Sequence, residues 1–262
     1  MPRLAANLTM LWTELKPIDR FRAAADAGFK YVEMLFPQVF EPSELERTLG
    51  RLDLEMVLFD PIAGDWAAGD RGLLSVPGRE EEFLGTVREA AALARRLGTM
   101  RLNALVGIPP PSTPDSVVER TALDNIRRAA DVVAEAGAVL LVENVNNVDV
   151  PGYWAGTAAR AAALVEASAH PAVRLQLDQY HAGMAGEDAL ACLKRWRSII
   201  DHVQIADIPG RHEPGTGGQP IQSLLDDLDR NAYQGFVGLE YKPLGTTESS
   251  LAWARGMIPS EA

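Results

Sequence analysis

Cysteine is nearly absent from this chain: Cys192 stands alone among 262 residues. No intrachain disulfide can hold the fold, and a reducing compartment, by default the cytoplasm, is expected. Long apolar runs are missing too. The opening stretch MPRLAANLTMLWTELKP is interrupted by Asn7, Thr9, Thr13 and Glu14, which spoils it as a secretory signal core, and no run reaches the length of a membrane span. Positive charge is in deficit, with 25 Lys and Arg against 36 Asp and Glu and a formal charge of −11. That balance opposes attraction to phosphate backbones or anionic lipid, so neither nucleic acid nor membrane is expected as a partner. Glycine (22) and proline (17) are too few for a low-complexity or collagen-like chain.

What is present is an ordinary globular composition, 47% hydrophobic and 23% charged, arranged in a rhythm. Short apolar or β-branched runs alternate with longer amphipathic stretches from end to end. Candidate strands are Leu4 to Leu8, Lys30 to Leu35, Leu54 to Phe59, Met100 to Val106, Ala138 to Glu143, Val173 to Asp178, His202 to Asp207 and Phe236 to Tyr241. Candidate helices fall between and after them: Ile18 to Ala27, Pro42 to Leu49, Arg79 to Leu97, Pro114 to Ala136, Thr157 to Ser168, Glu187 to Trp196, Ile221 to Asn231 and Thr247 to Arg255. Gly28, Gly98 and Gly137 stand where a left-handed helix cap is wanted. Eight βα units without a linker predict an α/β fold, a single (β/α)8 TIM barrel spanning residues 1–262 as one catalytic domain. The alternative, a doubly wound open sheet, lacks the phosphate-loop and dinucleotide-loop glycine spacings at its early strand ends.

Active sites of such barrels lie at the C-terminal strand ends. There the later strands repeatedly close on polar groups: Glu143, Asp178, Gln204 followed by Asp207, and Glu240. Acids converging in a partly buried mouth repel one another and need a cation or raised pKa values. Glu143, Asp178, Gln204 and Glu240 form an all-oxygen set that suits one divalent metal, Mg²⁺ or Mn²⁺, better than zinc. The bland alternative is that these acids cap helices or pair with arginines. His181, three residues beyond Asp178, is placed to contact substrate or to act behind a ligand. Arg211, in the Gly/Pro-rich stretch 209–217, offers a forked donor for a substrate carboxylate or simply pairs with Glu213. Glu33 and Asn7 face the barrel mouth or, the favoured reading, serve as local hydrogen-bonding residues, Arg79 to Glu82 read as a charged first helical turn, and Trp66 and Phe59 as pocket lining or packing.

Several segments together resemble the hydroxypyruvate isomerase family, within the xylose-isomerase-like barrels. They are Ala6 to Leu11, Gly28 to Pro37, Ala63 to Gly69, Pro77 to Phe83, Glu143 with Asn146 and Asp149 to Gly152, Asp178 to His181, His202 to Asp207, Gly210 to Gly217 and Gly238 to Pro243. The resemblance implies a TIM barrel in which Glu143, Asp178, Gln204 and Glu240 hold one divalent metal. It further implies that Glu143 and Glu240 are the catalytic acid/base pair and that His181 and Arg211 bind substrate. Two positions depart from the family pattern: Gly218-Gln219-Pro220 follows the late Gly-Thr-Gly, where Glu is usual, and Asn144 stands where Pro often follows the glutamate. Both leave the metal set intact and bear on substrate identity.

The expected reaction is isomerisation of a small hydroxycarbonyl acid, hydroxypyruvate to 2-hydroxy-3-oxopropanoate (tartronate semialdehyde), through an enediolate. Isomerisation of a four-carbon 2-oxo acid, 2-oxo-tetronate, or 3-epimerisation of a ketose would use the same intermediate on the same scaffold. A barrel that binds a sugar acid without turnover is a further alternative. An abasic-site endonuclease of this fold would need a multi-zinc cluster richer in histidine, and this chain has only His170, His181, His202 and His212. Oligomeric state, including a homo-oligomer, stays open. Cys192 is expected to be a small buried hydrophobe.

Overall fold

The computed structural model describes residues 1–258. Eight parallel strands close on themselves in sequence order: β1 (Arg3–Asn7), β2 (Tyr31–Met34), β3 (Glu55–Phe59), β4 (Arg101–Asn103), β5 (Val139–Glu143), β6 (Val173–Asp178), β7 (Ile200–Ile205) and β8 (Phe236–Leu239), with β8 pairing back to β1. Closure excludes the open sheet and leaves no sheet edge exposed. The connecting helices are α1 (Asp19–Asp26), α2 (Pro42–Leu52), α3 (Glu80–Leu97), α4 (Asp115–Glu135), α5 (Ala158–Ser168), α6 (Gln179–Met184), α7 (Ala189–Trp196), α8 (Ile221–Arg230) and α9 (Thr247–Ser250). Among the described residues, no helix is long and apolar enough to cross a membrane.

The helices form where spacing and punctuation allow. In α3, three glutamates occupy the first turn and Phe83, Leu84, Val87, Ala90, Ala91 and Ala94 recur on the buried face. Gly98, at φ 70°, then ends the helix in the left-handed conformation. The buried face of α4 mixes Val118, Ile126 and Val133 with Ala122, Ala129 and Ala130. Cys192 is buried on α7 among core residues, in keeping with its expected packing role.

Alternate residues of a strand face the same side, and the barrel interior follows that parity except in β3, where the register against β2 shifts and Val57 is the extra residue between Met56 and Leu58. At its floor Phe236, Leu141, Val57, Leu58 and Ala5 form a small apolar cluster, with the Arg101 guanidinium 4.9 Å from the Phe236 ring. Two residues nearer the mouth, Gly238 leaves space for Glu33: a Cβ there would stand 2.3 Å from Glu33 Oε1. Glu33 Oε1 accepts from Asn7 Nδ2 and Gln204 Nε2, both at 2.9 Å, and its Oε2 lies 2.7 Å from His202 Nε2. Glu33 and Asn7 are thus interior hydrogen-bonding residues, and the next layer up carries the acids.

Element boundaries differ from the sequence expectation in instructive places. The run from Met100 to Val106 ends in the apolar stretch Ala104-Leu105-Val106, yet β4 ends at Asn103, and Val106 instead bridges Gly72 in the loop before α3. β7 starts at Ile200 and stops at Ile205, so Asp207 lies in the following loop. The helix expected over Thr247 to Arg255 divides into α9 and a 3-10 turn at Leu251–Ala254. A second 3-10 turn, Pro37–Val39, and the short α6 have too few residues to show a period.

Candidate active site

Glu143 is the last residue of β5, and its Oε2 accepts from Asn103 Nδ2, at the end of β4, at 2.8 Å. Asp178 closes β6 and caps α6, its Oδ1 accepting the His181 backbone N–H at 3.0 Å. The Asp178 backbone is itself pinned by Asn144, which donates to its carbonyl at 3.0 Å and accepts its N–H at 3.2 Å. A proline at position 144 has no side-chain amide to make those bonds. Glu240 follows β8 directly, and Arg211 reaches it from the loop after β7, with Nη2 2.7 Å from Glu240 Oε2 and 3.5 Å from Asp178 Oδ2. Glu213, the other partner considered for Arg211, accepts instead from the Leu244 N–H at 3.1 Å.

These side chains converge on a cavity of about 240 Å³ at the barrel mouth, lined by Glu143, His181, Gln204, Arg211 and Glu240 among others. Asp178, 1% exposed, lies just behind its wall. The volume falls below the roughly 300–1,000 Å³ of sites for drug-sized molecules, which points to a small ligand. Trp66 lines the cavity, packed edge-on against Phe36, whereas Phe59 is wholly core.

Charge in this mouth is unbalanced. Burial, then repulsion from Glu240, Asp178 and Asp60, pushes Glu143 well above the usual carboxylate range, against the hydrogen bond from Asn103. Burial takes Asp178 up to about 8 despite the neighbouring Arg211 guanidinium, and raises Glu240 against the same cation. Burial raises Asp60 too, with Glu240 and Glu33 adding repulsion. Arg211 faces both Glu240 and Asp178, so one positive charge answers several buried acids. A divalent cation would correct that excess.

Oxygen and nitrogen donors of Glu143, Asp178 and His181 lie within 4.8 Å of one another, so these three could grip an ion. His181 is neutral, because burial and the Arg211 charge depress its pKa well below the ordinary value. Its Nδ1 faces the Asn146 side-chain amide at 2.5 Å and the Asn146 backbone N–H at 3.3 Å, which leaves Nε2 facing Asp178 Oδ2 at 3.6 Å. Gln204 lines the same cavity, with Oε1 accepting from Gln176 Nε2 at 2.7 Å while Nε2 serves Glu33. The sequence reading included Gln204 in the ligand set and gave His181 to the substrate; the structure gathers both at the cavity.

Asp207 has a different task. Its carboxylate accepts backbone N–H groups from Ile208, Gly215, Gly217 and Gln219 at 2.9 to 3.0 Å, folding the loop that carries Arg211. Burial opposes ionisation there, but the four donors prevail and hold it below the usual carboxylate range. A Cβ at Gly217 would stand 2.1 Å from the Ile208 carbonyl, so this wrap requires glycine. Asp60 and Asn103 also line the cavity and were not among the candidates. The strand-end rule reaches both, since Asp60 follows β3 and Asn103 closes β4.

A closed parallel barrel with buried acids gathered at its mouth defines a class of scaffold, and the chain belongs to the xylose isomerase-like TIM barrel family, whose model matches residues 21–257. Within it, the chain is 38% identical to the hydroxypyruvate isomerase of Escherichia coli K12, over 97% of this chain and 98% of that one. It is 37% identical to a 2-oxo-tetronate isomerase of Cupriavidus necator, again over 97% and 98%. A crystal structure described as an AP endonuclease of family 2 from Brucella melitensis is 40% identical, with a TM-score of 0.95 over 99% of this chain and all of that one.

Proposed function

We propose that the protein is a metal-dependent isomerase of a short hydroxycarbonyl acid, converting hydroxypyruvate to 2-hydroxy-3-oxopropanoate in one catalytic barrel. The observation that carries the reading is the cluster of buried acids, Glu143, Asp178 and Glu240, of which Asp178 and Glu240 share the Arg211 guanidinium, beside a cavity sized for a small molecule. The relatives of known name are isomerases of small hydroxy-oxo acids, which supports it.

Glu143, Asp178 and Glu240 would hold one Mg²⁺ or Mn²⁺ ion, with Gln204 contributing if its oxygen exchanges Gln176 for the ion. Bound there, a divalent cation supplies charge that polarises the substrate's carbonyl and hydroxyl oxygens. Glu143 and Glu240 flank the reacting carbons. One takes the proton from the hydroxymethyl carbon to leave an enediolate, the hydroxyl proton passes from the oxygen of that carbon to the oxygen of its neighbour, and the other glutamate delivers a proton to the adjacent carbon, so the hydroxymethyl becomes the aldehyde and the former carbonyl carbon bears the hydroxyl. Asn103 fixes the first carboxylate and Arg211 the second, which keeps both in reach without reorganisation. His181, neutral and oriented by Asn146, would contact a substrate oxygen.

The four-carbon 2-oxo acid is the second reading, favoured by the 2-oxo-tetronate isomerase relative. The endonuclease description of the Brucella structure fits this chain poorly, since a charge of −11 repels DNA. Incubating metal-stripped protein with hydroxypyruvate or 2-oxo-tetronate, with and without Mg²⁺ or Mn²⁺, tests the assignment. Product formation that appears only on metal addition is expected. Binding to abasic-site DNA at moderate salt, without turnover of either acid, would overturn it.

A further inference from the structure

The acid reading of the substrate, taken from the proposed function, requires a cation for the carboxylate. Arg211 is already engaged by Glu240 and Asp178. A second guanidinium faces the same cavity: Arg71, from the loop between β3 and α3. Its Nη1 donates to the backbone carbonyls of Trp66 at 3.1 Å and Asp70 at 2.6 Å, and its guanidinium carbon lies 4.2 Å from the centre of the Trp66 ring.

All of those partners are uncharged. Among the described residues no carboxylate lies within ion-pair distance of Arg71, and the adjacent acid is turned away. Asp70 Oδ2 accepts from Arg79 Nη1 at 2.8 Å and from the Asp65 N–H at 2.7 Å. Arg71 is therefore hydrogen-bonded only to neutral groups; the neighbouring Asp70 feels its charge but spends its Oδ2 on Arg79 and the Asp65 N–H, and Arg71 lines the cavity across which Arg211 is paired with acids. We infer that Arg71 is the specificity-determining residue of the site, receiving the substrate's carboxylate and so selecting hydroxycarbonyl acids over neutral ketoses.

The loop is built to seat it. Gly72, next in the chain, bridges Val106 in antiparallel fashion. A Cβ on Gly72 would lie 2.3 Å from the Leu105 carbonyl oxygen and one on Gly107 2.2 Å from the Gly72 oxygen; both glycines have positive φ, 124° and 95°. Two glycines thus let the loops after β3 and β4 touch, fixing the backbone beside Arg71. A guanidinium fork matches a carboxylate in a way a hydroxyl cannot, whereas a neutral ketose would leave the charge without a counter-ion.

The test is calorimetric titration of the metal-loaded protein with D-glycerate, which bears the carboxylate but no carbonyl to isomerise, and with glycerol as the neutral control. Arg71→Met should weaken D-glycerate binding by about 10- to 100-fold, the range expected for one charge-assisted pair, and Arg71→Lys should recover part of the loss. In the turnover assay the KM for hydroxypyruvate should rise by a similar factor while kcat falls far less. Equal D-glycerate affinity in the parent protein and Arg71→Met, or no preference of the parent for D-glycerate over glycerol, overturns the inference. Lack of hydroxypyruvate turnover by the parent counts instead against the isomerase reading, and the binding comparison still decides the role of Arg71.

Discussion

Glu143 shows how far a single side chain can be taken from its solution behaviour by its neighbours. Burial and three nearby acids hold it protonated to higher pH, while the Asn103 amide and the Arg211 cation pull the other way. Replacing Asn103 with Ala removes the amide's share of that pull, so the Glu143 pKa rises further. The acid limb of the kcat/KM profile should then move to higher pH, with a loss of about tenfold or more near neutrality; a profile unmoved in position would show that Glu143 does not act as the base. Cys192 offers a simpler contrast. Burial, with Glu187 and Asp188 nearby, pushes its thiol up to about 11, and the residue is buried. At pH 8 the folded protein should resist an aromatic disulfide reagent for as long as it stays folded, and react at once in denaturant.

Loops and strands supply the positions that these chemistries need. The loop carrying Arg211 folds around Asp207, whose carboxylate accepts four backbone N–H groups. Asp207→Ala strands those donors and should cost about 1–3 kcal/mol of stability. It should also lower kcat/KM by roughly tenfold or more through displacement of Arg211; unchanged turnover would separate the loop from the site.

The strand ends were legible from the chain because a parallel strand buried on both faces is a run of apolar residues, so a carboxylate closing the run stands out. Glu143, Asp178 and Glu240 all announce themselves in that way. Asp207 announces itself equally and misleads, since β7 stops at Ile205 and the acid falls in the loop. Asn103 stayed hidden because the apolar residues Ala104 to Val106 follow it, and only the fold shows that the strand ends there while Val106 bridges Gly72, distant in the chain. Arg71 carried no signal either, since only the touching of two loops brings it to the cavity wall.

For the molecule as a whole, the acids at the mouth are a cost that the fold carries. Asp178, Glu143, Glu240 and Asp60 have raised pKa values in the folded state, so the native protein binds more protons than the unfolded chain between the ordinary carboxylate range and about pH 8. Their contribution is complete below the unfolded pKa values and is lost as pH rises through the folded ones. Metal-free protein should accordingly melt at a lower temperature at pH 8 than at pH 5. Mg²⁺ or Mn²⁺ should raise the Tm more at the higher pH, where ionised carboxylates await a cation. A metal effect of equal size at both pH values would show that the ion binds elsewhere.

The central claim is that two glutamates move one proton between adjacent carbons beside a bound metal. It is tested most directly by running the hydroxypyruvate reaction in D₂O and following the hydroxymethyl C–H signal by NMR, with the parent protein, Glu143→Gln and Glu240→Gln, each with and without Mn²⁺ or Mg²⁺. The account predicts metal-dependent deuterium entry and product formation in the parent. Both should fall by about 10²–10⁴-fold in each variant, as expected for loss of a general acid or base. Exchange and turnover persisting at parental rates in either variant, or without metal, would contradict it.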